Sequence, residues 1–330
     1  MTRFRLAFAA ALAVATSLVS LLIPRAARPP TPGPLAADRA PPARHAPPAA
    51  PSVPAAVVSP PPRAPARPAH VVIISEDGMR PDALTEELAP RHVALMKEAT
   101  VARRADTIPQ SDTLPSHASM LSGFGARQHG LGWNSFKPER GYIHVPTVFS
   151  IAEEAGLETA MIVGKPKLRH IAPPGTVGHF ERPSYLCGGV ARRAAAYFDE
   201  HRPDLLFVHF SDPDEYGHSH GWMSPEYRRA VRNSDRCLGT VLDAIERSGL
   251  ADSTLVIVTA DHGGHGRHHS RGHDAVERQI PWIARGPGAD EDSVLDAPMT
   301  TMDTAATVLA ALRLTPRSGM QGVARLTFAP

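Results

Sequence analysis

Five near-continuous apolar runs recur along the chain with helical patterns between them: VVIIS at 71–75, ETAMIVG at 158–164, DLLFVHF at 204–210, STLVIVTA at 253–260 and IPWIAR at 280–285. A strand with one wet face alternates apolar and polar residues, so runs of this kind belong to strands covered on both faces. Their alternation with helices predicts an α/β fold, a three-layer α/β/α sandwich with a mostly parallel central sheet. The clearest helix is expected from Pro225 to about Ser248, with Ser224 as N-cap, Pro225 at the first position and Gly249 as the stop. Tyr227, Val231, Leu238, Val241, Leu242 and Ile245 return at helical spacing and give it one apolar stripe. Residues 146–155, 188–200 and 303–313 carry further helical patterns, and there is no internal repeat or second domain.

The chain before residue 70 has a different character. Arg3 and Arg5 precede an apolar run from Leu6 to Ile23, the pattern of an export signal, which predicts a periplasmic or otherwise extracytoplasmic protein. The run is long enough to span a bilayer, so residues 1–23 read as a signal peptide or a signal anchor, with 6–23 as the possible membrane tether. Pro24 to Pro68 holds 16 of the 34 prolines, mixed with Ala and Arg, and buries too little apolar surface to fold. Residues 24–69 are therefore expected to be a disordered linker, leaving 70–330 as the catalytic domain. The first 70 residues carry eight Arg and one Asp, so the overall charge of +2 leaves −5 on the remainder. That excludes the basic footprint of a protein that binds nucleic-acid duplexes. Cys187 and Cys237 are the only cysteines, which rules out a thiolate metal cluster; two separate core residues are favoured over a disulfide.

Polar clusters sit just after the C-terminal ends of three apolar runs, where an open α/β sheet keeps its ligand crevice. Asp77 follows the first, in ISEDGMRPD; Asp214 and His218 follow the third, in SDPDEYGHSHG; Asp261 and His262 follow the fourth, in VTADHGGHG. Asp and His beside Gly are usually caps, turn formers or solvated loop residues. Three such clusters in one topological position instead point to a metal centre, and a mixture of carboxylate and imidazole suits zinc best, with manganese or iron as alternatives. In DTLPSHASMLSG, Thr113 lies just before Pro115 opens a short apolar helix whose N-terminus attracts an anion. A hydroxyl there meets a phosphate, and a divalent ion acidifies it into a nucleophile. The Pro- and Gly-rich stretch after the second run reads as a solvated loop over the crevice. Its Lys165, Lys167 and Arg169 are read as surface charges more readily than as contacts to a second phosphate or carboxylate.

Over residues 70–325 these motifs resemble the alkaline phosphatase superfamily, within it the type I phosphodiesterase/nucleotide pyrophosphatase branch. The resemblance implies an alkaline phosphatase-like fold and a two-metal hydrolase of small phosphate esters, diesters preferred, acting through a phosphothreonine. It places Asp77, Asp261 and His262 on one metal together with Thr113, the nucleophile of the T-x-P-x-H segment. Asp214 and His218 of D-x-x-G-H go to the other metal, and Asn134 of HGLGWN becomes a donor to the phosphoryl oxygen. A last histidine ligand should precede IPWIARGPG; His273 is favoured because it follows a Gly and lies nearer the strand, with His269 in reserve. His265 and His268 are expected to face solvent. A phosphomonoesterase or a phospho(ethanolamine)transferase would use the same residues. A sulfatase would need a Cys or Ser where Thr113 stands, with an Arg beyond the Pro, and a non-catalytic metal-binding domain would not need the nucleophile.

Overall fold

A computed structural model of the chain describes residues 67–269 and 274–329, and the statements that follow concern these residues. The export segment, the 6–23 tether, the linker up to residue 66 and His273 lie outside the described residues.

The apolar runs form the centre of an eight-stranded sheet. In chain order its strands are β1 (His70–Glu76), β2 (Thr100–Ala102), β3 (Thr159–Val163), β4 (His179–Glu181), β5 (Leu205–Phe210), β6 (Thr254–Thr259), β7 (Trp282–Arg285) and β8 (Ser293–Leu295). Their spatial order is β8, β2, β7, β6, β1, β5, β3, β4. Only β7 runs against its neighbours. The helices are α1 (Pro90–Lys97), α2 (Thr113–Ser122), α3 (Val148–Glu154), α4 (Cys187–His201), α5 (Asp212–His220), α6 (Pro225–Arg247) and α7 (Asp303–Ala311), together with two single-turn segments at Ala126–His129 and Ala275–Arg278.

Period-two alternation divides the strands between two cores. Val71, Ile73, Leu205, Phe207, Leu255 and Ile257 pack with Leu114, Phe149 and Leu309 of α2, α3 and α7. Val72, Ile74, Leu206, Val208, Val256 and Val258 pack with Leu95, Phe198 and Leu238 of α1, α4 and α6. Burying each such side chain contributes about 1.5–3 kcal/mol, which is why both faces of the central strands are apolar. The cap of α6 forms as its sequence dictates, with Ser224 Oγ accepting the Tyr227 N–H at 3.1 Å. Leu242 on its stripe is only partly buried.

Two expectations need correction. The run at 280–285 is not one strand: Pro281 has no N–H for a ladder, and the chain divides there. Gln279–Ile280 joins a three-stranded sheet with Ala105–Asp106 and Met299–Thr300, while β7 enters the main sheet. Cys187 and Cys237 are paired in a disulfide, not separate core residues. The packing of α4 on α6 brings their Cα atoms to 6.0 Å, within bridging range.

Candidate metal centre

β1, β5 and β6 are adjacent and parallel, so their C-terminal ends share one edge. Asp77 follows β1; its N–H donates to Phe210 O at 2.9 Å, and its carbonyl accepts the Asp214 N–H at 2.9 Å. Gly78 lies at φ +71°, and a Cβ there would stand 2.8 Å from Asp214 Cα. Only glycine lets the end of β1 and the first turn of α5 come this close. The Gly78 N–H donates to Asp261 Oδ1 at 3.1 Å, and the His262 N–H reaches the same oxygen at 3.0 Å. Three strand ends are thus joined through main-chain groups and the Asp261 carboxylate.

Three imidazoles are oriented in the same way. The Nδ1 atoms of His218, His262 and His269 lie 3.0, 2.8 and 2.6 Å from the carbonyls of Arg267, Gly263 and Ser111. A carbonyl only accepts, so each Nδ1 carries a proton, which leaves Nε2 as the atom through which each ring could meet a metal. His262 Nε2 lies 3.3 Å from Asp261 Oδ2, 3.4 Å from Asp77 Oδ1 and 3.9 Å from Asp214 Oδ1. His269 stacks on His262 with ring centroids 3.7 Å apart, and its Nε2 is 2.9 Å from His218 Nε2 and 3.7 Å from Asp214 Oδ1. His269 is buried here, His218 is half exposed at the mouth, and His265 and His268 face solvent.

Ligand atoms of Asp77, Asp261 and His262 lie within 4.8 Å of one another, as do those of Asp214, His262 and His269. Asp214 Oδ1, Asp261 Oδ2 and His262 Nε2 are buried without a hydrogen-bond partner. A buried polar atom left unsatisfied costs about 1–3 kcal/mol, more when charged, and three converging on one place call for cations. The titration behaviour agrees. Burial and the charge of Asp77 push Asp261 up to about 6. Burial opposes protonation of His262, yet Asp261, Asp77 and Asp214 push it up to about 9. Both directions express a shortage of positive charge, so the residues present fit a pair of divalent ions.

Lys165 supplies part of that charge, and here the expectation of a solvated loop fails. The Gly164 N–H still pairs with His209 O, so the chain stays in the sheet until Lys165. The lysine is 3% exposed, with Nζ 2.8 Å from Asp77 Oδ2 and also bonded to Asp214 Oδ2. Burial works against its charge, but Asp214 and Asp77 raise its pKa above the ordinary lysine value. Asp77 in turn is held well below the usual carboxylate range, burial being outweighed by Lys165, His209 and His262.

Thr113 opens α2, fully buried, with Oγ1 3.4 Å from Asp77 Oδ1. Asn134 Oδ1 accepts the Leu114 N–H at 3.1 Å, satisfying one orphan donor of that helix end, and accepts Lys167 Nζ at 3.0 Å. Two histidines escaped the sequence reading. His209 Nε2 is 2.9 Å from Asp77 Oδ2, and its signal was an imidazole inside the buried run DLLFVHF. His117, the histidine of T-x-P-x-H, bonds Thr113 O through Nδ1 and Ser75 Oγ through Nε2, both at 2.8 Å, and so holds the backbone of the threonine.

A family model described as type I phosphodiesterase / nucleotide pyrophosphatase matches residues 71–274. Human ectonucleotide pyrophosphatase/phosphodiesterase family member 7 is 24% identical over 217 residues, covering 58% of this chain and 47% of that protein. The chain thus spans about half the length of the curated relatives it matches. Murine ectonucleotide pyrophosphatase/phosphodiesterase 5, solved as an inactive form in complex with AMP, superposes with a TM-score of 0.64 at 16% identity, covering 75% of this chain and 96% of that one. A putative sulfatase from Bacteroides thetaiotaomicron superposes at 0.65 and 17% identity, covering 78% and 74%.

Proposed function

From a chain that belongs to the type I phosphodiesterase/nucleotide pyrophosphatase family, we propose an exported, metal-dependent hydrolase of small phosphoric esters, diesters foremost, acting through a phosphothreonine on Thr113. The observation that carries this reading is the convergence of three imidazole Nε2 atoms and three carboxylates on the edge where the Thr113 hydroxyl lies 3.4 Å from Asp77. Asp77, Thr113, Asp261 and His262 hold one ion; Asp214, His218 and His269 hold the other. His269 takes the last ligand position because it stands in the cluster, whereas His273 lies outside the described residues. Two divalent ions, zinc for preference and manganese or iron as alternatives, supply when bound positive charge for the phosphoryl oxygens and acidify a coordinated hydroxyl.

Thr113 Oγ1, its proton released to solvent, attacks phosphorus in line; the Oγ–P bond forms, and the leaving group departs as an alkoxide with the electrons of the broken P–O bond and takes a proton from water. Water then cleaves the Oγ–P bond and restores the hydroxyl. His117 and the start of α2 keep the threonine backbone in place for attack. Asn134 has its carbonyl oxygen occupied by Leu114 and Lys167 and donates one amide N–H to Asp112 Oδ1 at 3.5 Å, which leaves the other N–H for a phosphoryl oxygen. The disulfide fits an oxidising compartment and so supports export. Among the described residues no helix is long and apolar enough to cross a membrane; the tether proposed here is the apolar run at residues 6–23. The AMP bound to the murine neighbour makes nucleotide esters the first natural substrates to assay.

Thr113→Ala should keep its metal content and lose turnover of bis-p-nitrophenyl phosphate on the order of 10³-fold or more. A variant that still turns over at the wild-type rate would remove Thr113 from the mechanism.

A further inference from the structure

α5 ends at His220, and Gly221 and Trp222 follow it. The Trp222 indole, 7% exposed, touches each of the three segments that carry the clustered carboxylates. Its Nε1–H donates to Gly78 O at 2.9 Å, one residue beyond Asp77. Its ring lies against Gly217, between Asp214 and His218 on α5, where a Cβ would stand 2.6 Å from Cε2. It lies also against Gly264, two residues beyond His262, where a Cβ would overlap the same atom. Two of its ring neighbours are imidazoles of the site: His218 and His269 meet it edge to face, with centroids 5.2 and 5.9 Å away. The main-chain N–H of Trp222 donates to Gly266 O at 2.7 Å, which fastens the loop after β6 to the same residue. Tyr227 of α6 completes the arrangement, its hydroxyl donating to Gly78 O at 3.0 Å and accepting the Arg80 N–H at 3.1 Å.

Resting on the metal-centre reading above, we infer that Trp222 is a positioning residue, which fixes the spacing of the Asp77, Asp214 and Asp261 segments and the seating of His218 and His269. An indole has no internal torsion, and its one donor finds its one partner in Gly78 O. With the ring stopped by Gly217 and Gly264 and its N–H held by Gly78, a shift of any one segment costs either the hydrogen bond or a steric overlap. The main-chain contacts at the strand ends leave out His218 and His269; Trp222 brings both imidazoles into the same framework.

The test measures zinc affinity by chelator competition on the full chain stripped of metal, a readout independent of turnover. Trp222→Phe keeps an aromatic ring and removes the N–H; its affinity at the two tightest sites should fall about 10- to 100-fold, the usual cost of losing a group that orients ligands. Trp282→Phe is the structural control, because Trp282 is also buried and loses a comparable bond, from Nε1 to Thr304 Oγ1 at 3.2 Å. It should lower the Tm and leave zinc affinity unchanged. Gly217→Ala disturbs the same contact from the other side. Alanine is the better helix former, so a merely helical role for Gly217 predicts no loss, whereas a Cβ against the indole should weaken zinc binding by a similar factor. This second variant decides the matter should Trp222→Phe not fold. Wild-type affinity in either folded variant, or an equal loss in Trp282→Phe, overturns the inference. A wild type that binds zinc but hydrolyses no phosphate ester removes the hydrolase reading and leaves the inference standing; one that binds no zinc, manganese or iron removes both.

Discussion

Glu76, the last residue of β1, and Asp77, the first residue after it, enter two buried charge clusters of opposite kind. Behind the sheet, His92 bridges Glu76 Oε2 and Asp235 Oδ1, each at 2.8 Å. Ser234 donates to Glu76 Oε1 at 2.8 Å, and the N–H groups of Arg91 and His92 reach Asp235 Oδ1 at 3.0 and 3.1 Å. Burial opposes the charge on His92, but Glu76 and Asp235 raise its pKa to about 9, so the imidazolium is this cluster's internal cation. On the front, Lys165 neutralises only part of the charge of Asp77 and Asp214, and Asp261 and His262 keep unsatisfied atoms. The rear cluster is complete in the chain itself; the front one leaves buried polar atoms unsatisfied. A buried ionic group therefore marks function here only where its hydrogen bonds do not close.

The contrast can be broken most forcefully by taking metal away. Chelation should abolish turnover, on the order of 10³-fold or more, and lower the Tm while leaving the far-UV circular dichroism intact. Full activity after verified metal removal would mean that the front cluster is also self-sufficient. Next in size, His92→Ala leaves two carboxylates buried and unpaired and should cost about 3–5 kcal/mol in urea unfolding, with the metal stoichiometry of the folded fraction unchanged. Loss of metal in the folded variant would show that the clusters are one unit. The smallest effect is in pH. His92 has a folded pKa of about 9, above its ordinary 6.5, so its stabilisation is complete below pH 6.5 and is lost as pH rises through 9. It amounts to a few kcal/mol, about 1.4 for each tenfold gain in proton affinity on folding. Unfolding free energies of the wild type and of His92→Gln should converge across that window, and parallel curves would refute the charged state of His92.

The central strands and the positions of Asp77, Asp214, Asp261 and His262 were legible because both follow from local pattern: a buried parallel strand needs a continuous apolar run, and the clustered Asp and His residues lie where such a run stops at Asp or Gly. What long-range packing decides was not legible. Glu76, His92 and Asp235 meet only when β1, α1 and α6 assemble, and nothing near any one of them announces the other two. Lys165 is a loop lysine by its neighbours and an interior one by its fold, since a single ladder bond from Gly164 carries it over the edge. The disulfide depends in the same way on the approach of α4 to α6, and Pro281 broke a run that composition alone makes continuous.

The close contact at Gly78 bears on how the two proposed ion positions are spaced. Asp77 and Asp214 are coupled through a main-chain hydrogen bond and the missing Cβ of Gly78, so the gap between their Cα atoms is a backbone dimension. Side-chain torsions can absorb a change of ionic radius without altering it. Exchange of zinc for the larger manganese would then retune individual coordination bonds while the span offered to an attacked phosphorus stayed constant, and a single methyl group at residue 78 would do more harm to that span than the choice of element.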